Sequence, residues 1–126
     1  MSKAPGHEKW PSHRIDERHL EKRVIARVNN EVIADSRDVI RVEEDGSPER
    51  FYFPRSDVKM DKLHASPTKT ECPFKGHASY FTIDAQGREL KDAAWSYESP
   101  YDEHADLRER IAFYTDKVPE IEIRTM

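Results

Sequence analysis

The strongest constraint on what this chain can become is a two-residue rhythm in its apolar side chains, sustained only over short runs. Val24, Ala26 and Val28 share one side of an extended segment. Asn29-Asn30 tolerates the left-handed backbone of a tight turn, and Val32 to Asp35 returns as the hairpin partner. Val39 to Glu43 is a third run, closed by Asp45-Gly46, and Phe51 to Phe53 a fourth, ended by Pro54. Ser56 caps a single helical turn through Val58 and Met60 towards Leu63. Ala78 to Asp84 and Glu89 to Tyr97 flank the turn Ala85-Gln86-Gly87-Arg88. Residues 102 to 109 read as a short helical link, Arg110 to Tyr114 as another strand, and Ile121 with Ile123 as an added edge. No segment sustains a 3.6-residue period and no internal repeat is visible. The expectation is a mainly β protein: a small antiparallel barrel or sandwich with one or two short helices.

The same rhythm sorts side chains by chemistry. Phe51, Phe53, Phe81, Ile83, Ala94, Ile111 and Phe113 take one parity of their runs. The opposite parity holds Tyr52, Tyr80, Trp95, Tyr97 and Tyr114. Successive strand residues point to opposite faces, so one sheet face should be hydrocarbon and the other aromatic with hydroxyls. Two readings of the second face stand open: half-exposed strand tyrosines with wet hydroxyls, or a semi-polar cleft for a small ligand.

Of the 126 residues, 37% are charged, against roughly 25% in an average globular protein. The charges are balanced, 21 basic against 25 acidic, and interspersed. That is a solvated surface and not the basic stripe of a phosphate-backbone binder, so nucleic acid is not an expected partner. Residues 1 to 21 are expected to form a mobile N-terminal tail, with Trp10 as the one side chain before Ile15 able to dock. Residues 22 to 126 are then a single domain. Cys72 is the only cysteine, which excludes an intrachain disulfide. The first residues lack a secretory apolar stretch, and no segment approaches the roughly 18 apolar residues of a membrane span. A cytoplasmic location without membrane contact is expected by elimination.

The segment Thr70-Glu71-Cys72-Pro73-Phe74-Lys75-Gly76 carries the most chemistry. A cysteine is nucleophilic as the thiolate, and a nearby cation such as Lys75 favours that form. Cys72 and Lys75 are therefore the candidate catalytic pair, weighed against a cysteine that simply packs as a small hydrophobe. Gly76 permits an unusual φ or a close approach. Tyr52, Arg55, Asp57, Tyr80, Trp95 and Tyr97 are the candidate ligand contacts, with Lys75 supplying charge for an anionic group. His64, Cys72 and His77 lack paired CxxC or helical His spacing, so neither a metal nor another cofactor is expected. Asp35, Asp38, Asp57 and Asp61 lie near strand ends without any glycine-rich phosphate loop.

These strings carry a resemblance. Glu31-Val32-Ile33-Ala34-Asp35-Ser36, Tyr52-Phe53-Pro54-Arg55-Ser56-Asp57-Val58, Thr70 to Gly76 with Ala78 and Tyr80, Ala94-Trp95-Ser96-Tyr97 with Pro100, and Ala112-Phe113-Tyr114 resemble the domain-of-unknown-function family 427. They cover about residues 22 to 116. The resemblance implies a small β protein of the tent-like fold; the family is also called a nucleotidyltransferase domain. Relatives of that fold hold zinc through two CxxC pairs, which a chain with one cysteine lacks. The function expected is binding of a small, anionic molecule in an aromatic-lined cleft. The alternatives are a thiol-dependent or nucleotidyltransferase-type enzyme, and an interaction module whose aromatic face meets a partner or, as a homodimer, a second copy.

Overall fold

A computed structural model describes residues 4 to 126; residues 1 to 3 of the expected tail lie outside the described part. Ten strands follow a short helix α1 (Pro5–Lys9): β1 (Ile15–Leu20), β2 (Val24–Val28), β3 (Glu31–Ser36), β4 (Val39–Glu44), β5 (Arg50–Phe53), β6 (Leu63–Cys72), β7 (Gly76–Ala85), β8 (Arg88–Tyr97), β9 (Ile111–Phe113) and β10 (Ile121–Thr125). They form a seven-stranded sheet in the order β1-β4-β5-β9-β8-β7-β6 and a three-stranded sheet, β10-β2-β3. Every paired neighbour is antiparallel. The large sheet does not close: of barrel and sandwich, the architecture is sandwich-like, with the small sheet packed on one face of the large one. Three short 3-10 segments are present, Arg55–Asp57, Met60–Lys62 and Asp102–Leu107, the last kinked at His104. The turn expected to start at a Ser56 cap is instead two separate segments, with Ser56 inside the first and Val58 extended between them. No described helix is long and apolar enough to cross a membrane.

Local chemistry accounts for the turns. Asn29 and Asn30 take φ of 45° and 77°, and Gln86 and Gly87 of 54° and 69°, the left-handed pairs that join two-residue hairpins. Two strands have no apolar alternation to announce them. The segment expected as tail contributes β1, which runs along β4 with Ile15 opposite Glu44 and Leu20 opposite Val39. As an edge strand it faces water, so IDERHL needs few apolar residues. Strand β6 is the opposite edge and equally polar; its register shifts between Ala65 and Lys69, where Pro67 sits. Proline has no N–H to give a ladder and is tolerated at such irregular edge positions.

The two parities become two separate cores. Val24, Ile33, Phe53, Ile83, Ile111 and Phe113 pack between the sheets. On the far face of the large sheet, Ile40, Val42, Tyr52, Trp95, Tyr97, Leu107 and Ala112 form a second cluster, edged by Cys72, Tyr80 and Tyr114. Leu107 belongs to the 102–107 link, so part of this face is roofed by loop and not by sheet.

Candidate functional site

The site is built around the β6–β7 turn. Cys72 ends β6, Pro73, Phe74 and Lys75 make the turn, and Gly76 opens β7 opposite Cys72. Gly76 has φ +121°, and a Cβ there would stand 3.3 Å from the Ser99 carbonyl oxygen. Only glycine lets the turn lie this close to residues 99–101, and Tyr101 N–H donates to the Lys75 carbonyl at 3.0 Å. That anchoring fixes where Lys75 points.

Lys75 points inward. Its side chain is 7% exposed, and its ammonium pairs with Glu44 Oε1 at the end of β4. The other oxygen, Glu44 Oε2, accepts from His13 Nε2 at 2.9 Å. Lys75 Nζ also lies 4.0 Å from Cys72 Sγ and 6.0 Å from the Tyr97 ring centroid. Burial raises the Glu44 carboxyl, but Lys75 and then His13 more than reverse this, holding it below the ordinary carboxylate range. Behind the ion pair, Trp95 Nε1–H donates to Tyr52 Oη at 3.2 Å, and Tyr52 packs edge-on to Trp95. Burial pushes the Tyr52 and Tyr97 phenols far above their usual value, so both stay protonated hydrogen-bonding groups at any physiological pH.

The described part of the N-terminal segment closes over this constellation as an arm. Gly6 N–H donates to the Pro73 carbonyl at 2.8 Å, and Ala4 N–H to the Glu103 carboxylate at 3.0 Å. A Cβ on Gly6 would meet the Phe74 ring at 2.7 Å, so the arm passes here as glycine or not at all. His13 stacks on Phe74 with centroids 4.1 Å apart and planes 17° apart. His7 Nε2 bonds His104 Nε2 at 2.9 Å, while His104 Nδ1 bonds the Glu17 carboxylate. A carboxylate only accepts, so His104 carries a proton on Nδ1.

Cys72, Lys75, Tyr52, Trp95 and Tyr97 thus come together in space, but as a closed cluster. Tyr52 is 1% exposed, and the cavities walled by Trp10 and Phe74, by Gly76 and Tyr101, and by Tyr80 and Tyr114 include none of these five side chains in their lining. Tyr80 stands further out, bonded to Thr70 Oγ1 at 3.0 Å and to the Tyr114 hydroxyl at 3.1 Å. Arg55 and Asp57 are held elsewhere. Arg55 donates to Ser96 Oγ at 2.9 Å and the Glu98 carboxylate at 3.2 Å, and Asp57 accepts from Ser36 Oγ at 2.6 Å. His64 and His77 pair with Asp84 and Glu71 on the surface, and among the described residues no group of three such side chains is placed to hold a metal ion.

Sequence reasoning missed Glu44 and His13. Thirty-one positions separate them, and only the pairing of β1 with β4 brings them together. No spacing in the chain signals that contact.

Fold and site define a class: an open antiparallel β-sandwich with a buried aromatic and ionic cluster at one hairpin turn. The chain belongs to the family described as Domain of unknown function (DUF427), whose model matches residues 16–124. No curated protein matches it significantly. The match begins within β1, so the arm of residues 4–13 lies outside it.

Proposed function

We propose that the protein binds a small anionic molecule at Lys75, with the Tyr52, Trp95 and Tyr97 wall providing apolar area. The observation that carries this reading is the Lys75–Glu44 pair itself. An ion pair taken out of water gains little net stability over apolar residues of similar size, so stability alone does not account for it. Lys75 is the cation an anion would find, with Glu44 and His13 as the groups that rearrange to admit it. Thermal melting against phosphate, nucleotides, sugar phosphates and small carboxylates tests it, since a ligand at 100 times its Kd stabilises by about 2.7 kcal/mol. At least one class should raise the wild-type melting temperature and fail to do so for Lys75→Met. If the whole panel leaves wild-type melting unmoved, the interaction-module reading, with a partner or second copy on the aromatic face, replaces it.

A second reading rests on the 4.0 Å between Lys75 Nζ and Cys72 Sγ at a half-buried thiol. On this reading Cys72 is a nucleophile and Lys75 its charge partner. Iodoacetamide should then modify native Cys72 faster than free cysteine at pH 7, Lys75→Met should slow it, and Cys72→Ser should fold normally. A thiol protected until denaturation, with a serine variant less stable by about 1–3 kcal/mol, would leave Cys72 as core.

A further inference from the structure

One surface feature is unexplained by an anion site alone. Trp10 and Met126 are the only large hydrophobic side chains left exposed among the described residues, and Met126 ends the chain. Trp10 is 47% exposed yet not at large: its ring centroid is 6.0 Å from that of Phe74, with planes at 50°, and Lys9 Nζ lies 4.9 Å from the indole centroid. Between the arm and the β6–β7 turn lies a cavity of about 500 Å³ lined by Trp10, Ser12, His13, Asp45, Pro73 and Phe74. That volume suits a small organic molecule.

The walls specify its chemistry. Three of the six lining residues are flat rings, and indole and phenyl set at 50° make a wedge. A planar ring is the guest that gains most from such walls, through stacked and edge contacts. The charges specify the other end. Asp45 lines the cavity, but its Oδ2 already accepts from Arg14 N–H at 2.8 Å. His13 lines the cavity too, and on its far side bonds the carboxylate that Lys75 holds. The slot and the buried ammonium are thus separated by the His13 imidazole and the Glu44 carboxylate, the two groups that rearrange on the anion reading.

We propose that the groove walled by Trp10, His13 and Phe74 is the ring-binding half of the site: it takes a planar aromatic or heteroaromatic ring whose anionic substituent is directed to Lys75. This rests on the anion reading above and extends it. The arm is then part of the binding site, and Gly6, which lets it seat on Phe74, is a positioning residue.

Two probes that differ only by a ring test this: phenyl phosphate and inorganic phosphate, titrated calorimetrically. Wild type should bind phenyl phosphate about tenfold more tightly. Trp10→Ala, at an exposed position, should bring the two probes level. Gly6→Ala should do the same by lifting the arm from Phe74, with the indole emission moving to that of free tryptophan in Trp95→Phe. Should Trp95→Phe fold poorly, the single-residue emission difference between wild type and Trp10→Phe gives the same signal. Equal affinities in wild type, or a tenfold ratio that survives Trp10→Ala, would overturn the slot while leaving the Lys75 site standing. Phenyl phosphate binding that survives Lys75→Met but not Trp10→Ala would uphold the slot and remove the anion reading. Absence of binding by both probes overturns the slot, and the anion reading with it when the wider panel also leaves wild-type melting unmoved.

Discussion

Phe53 and Tyr52 are neighbours in one strand, and each is almost completely buried, yet they belong to different kinds of interior. Phe53 meets Phe113 edge to face at 5.6 Å, in a hydrocarbon layer closed by a second sheet. Tyr52 meets Trp95, Tyr97 and, through them, an ion pair, in a layer closed by an arm and a link. The first face stabilises by removing apolar area from water and asks nothing of geometry beyond packing. The second buries hydroxyl, indole N–H, ammonium and carboxylate, each of which must find a partner or cost stability. A protein built for stability alone would make both faces like the first. On the binding reading proposed above, the aromatic face is the one that serves the ligand.

The comparison breaks most easily on the hydrocarbon side. Phe53→Ala empties a site packed by apolar residues of the inter-sheet cluster, and should cost about 3–5 kcal/mol in urea unfolding. A cost under about 1 kcal/mol would mean that the inter-sheet layer is not the main core. One position back, Tyr52→Phe keeps the ring and removes only the oxygen that accepts from Trp95 Nε1–H. The buried indole N–H then has no partner, and the expected loss is about 1–2 kcal/mol, with a shift in Trp95 emission. A neutral or stabilising result would show that the hydroxyl is no part of the network's stability.

These partitions were legible in the chain to the extent that a strand's period of two was. Phe51, Phe81, Ile83 and Phe113 against Tyr52, Tyr80, Trp95 and Tyr97 could be sorted by parity because those strands each have a dry face. Strands β1 and β6 were not legible: at the two edges of the sheet, Asp16, Arg18, His64 and Lys69 face water and leave no alternation. The Cys72–Lys75 pair was, since three residues in a turn keep two side chains together. Glu44 and His13 were not, because their contact depends on register between distant strands, and the arm was not, because a five-residue helix of Pro-Gly-His-Glu-Lys has no apolar face.

The smallest effect sharpens the comparison by pH. Phe53→Ala touches no titrating group, so its cost should be the same at pH 7 and pH 4. The aromatic face differs, because Glu44, lifted by burial and then lowered further by Lys75 and His13, releases its proton at lower pH folded than unfolded. The unfolded chain therefore binds more protons in acid, and stability climbs with pH there. The contribution is fully present above the ordinary carboxyl value of 4.5 and is lost as pH falls through the depressed one. Asp35 and Asp116 are also lowered, chiefly by hydrogen bonds from Arg23 and Arg50, but their surface pairs are open to salt. Urea midpoints between pH 3 and pH 7 in about 1 M salt, where such exposed pairs are screened, should thus still show an acid limb, and Glu44→Gln should make that limb shallower. The variant will also be weaker at pH 7, since Lys75 is left buried without its carboxylate, so the slope and not the absolute stability is the quantity to compare. An acid limb unchanged in Glu44→Gln would mean that the Lys75 pair exchanges freely with solvent, and that the aromatic face is less closed than its burial implies.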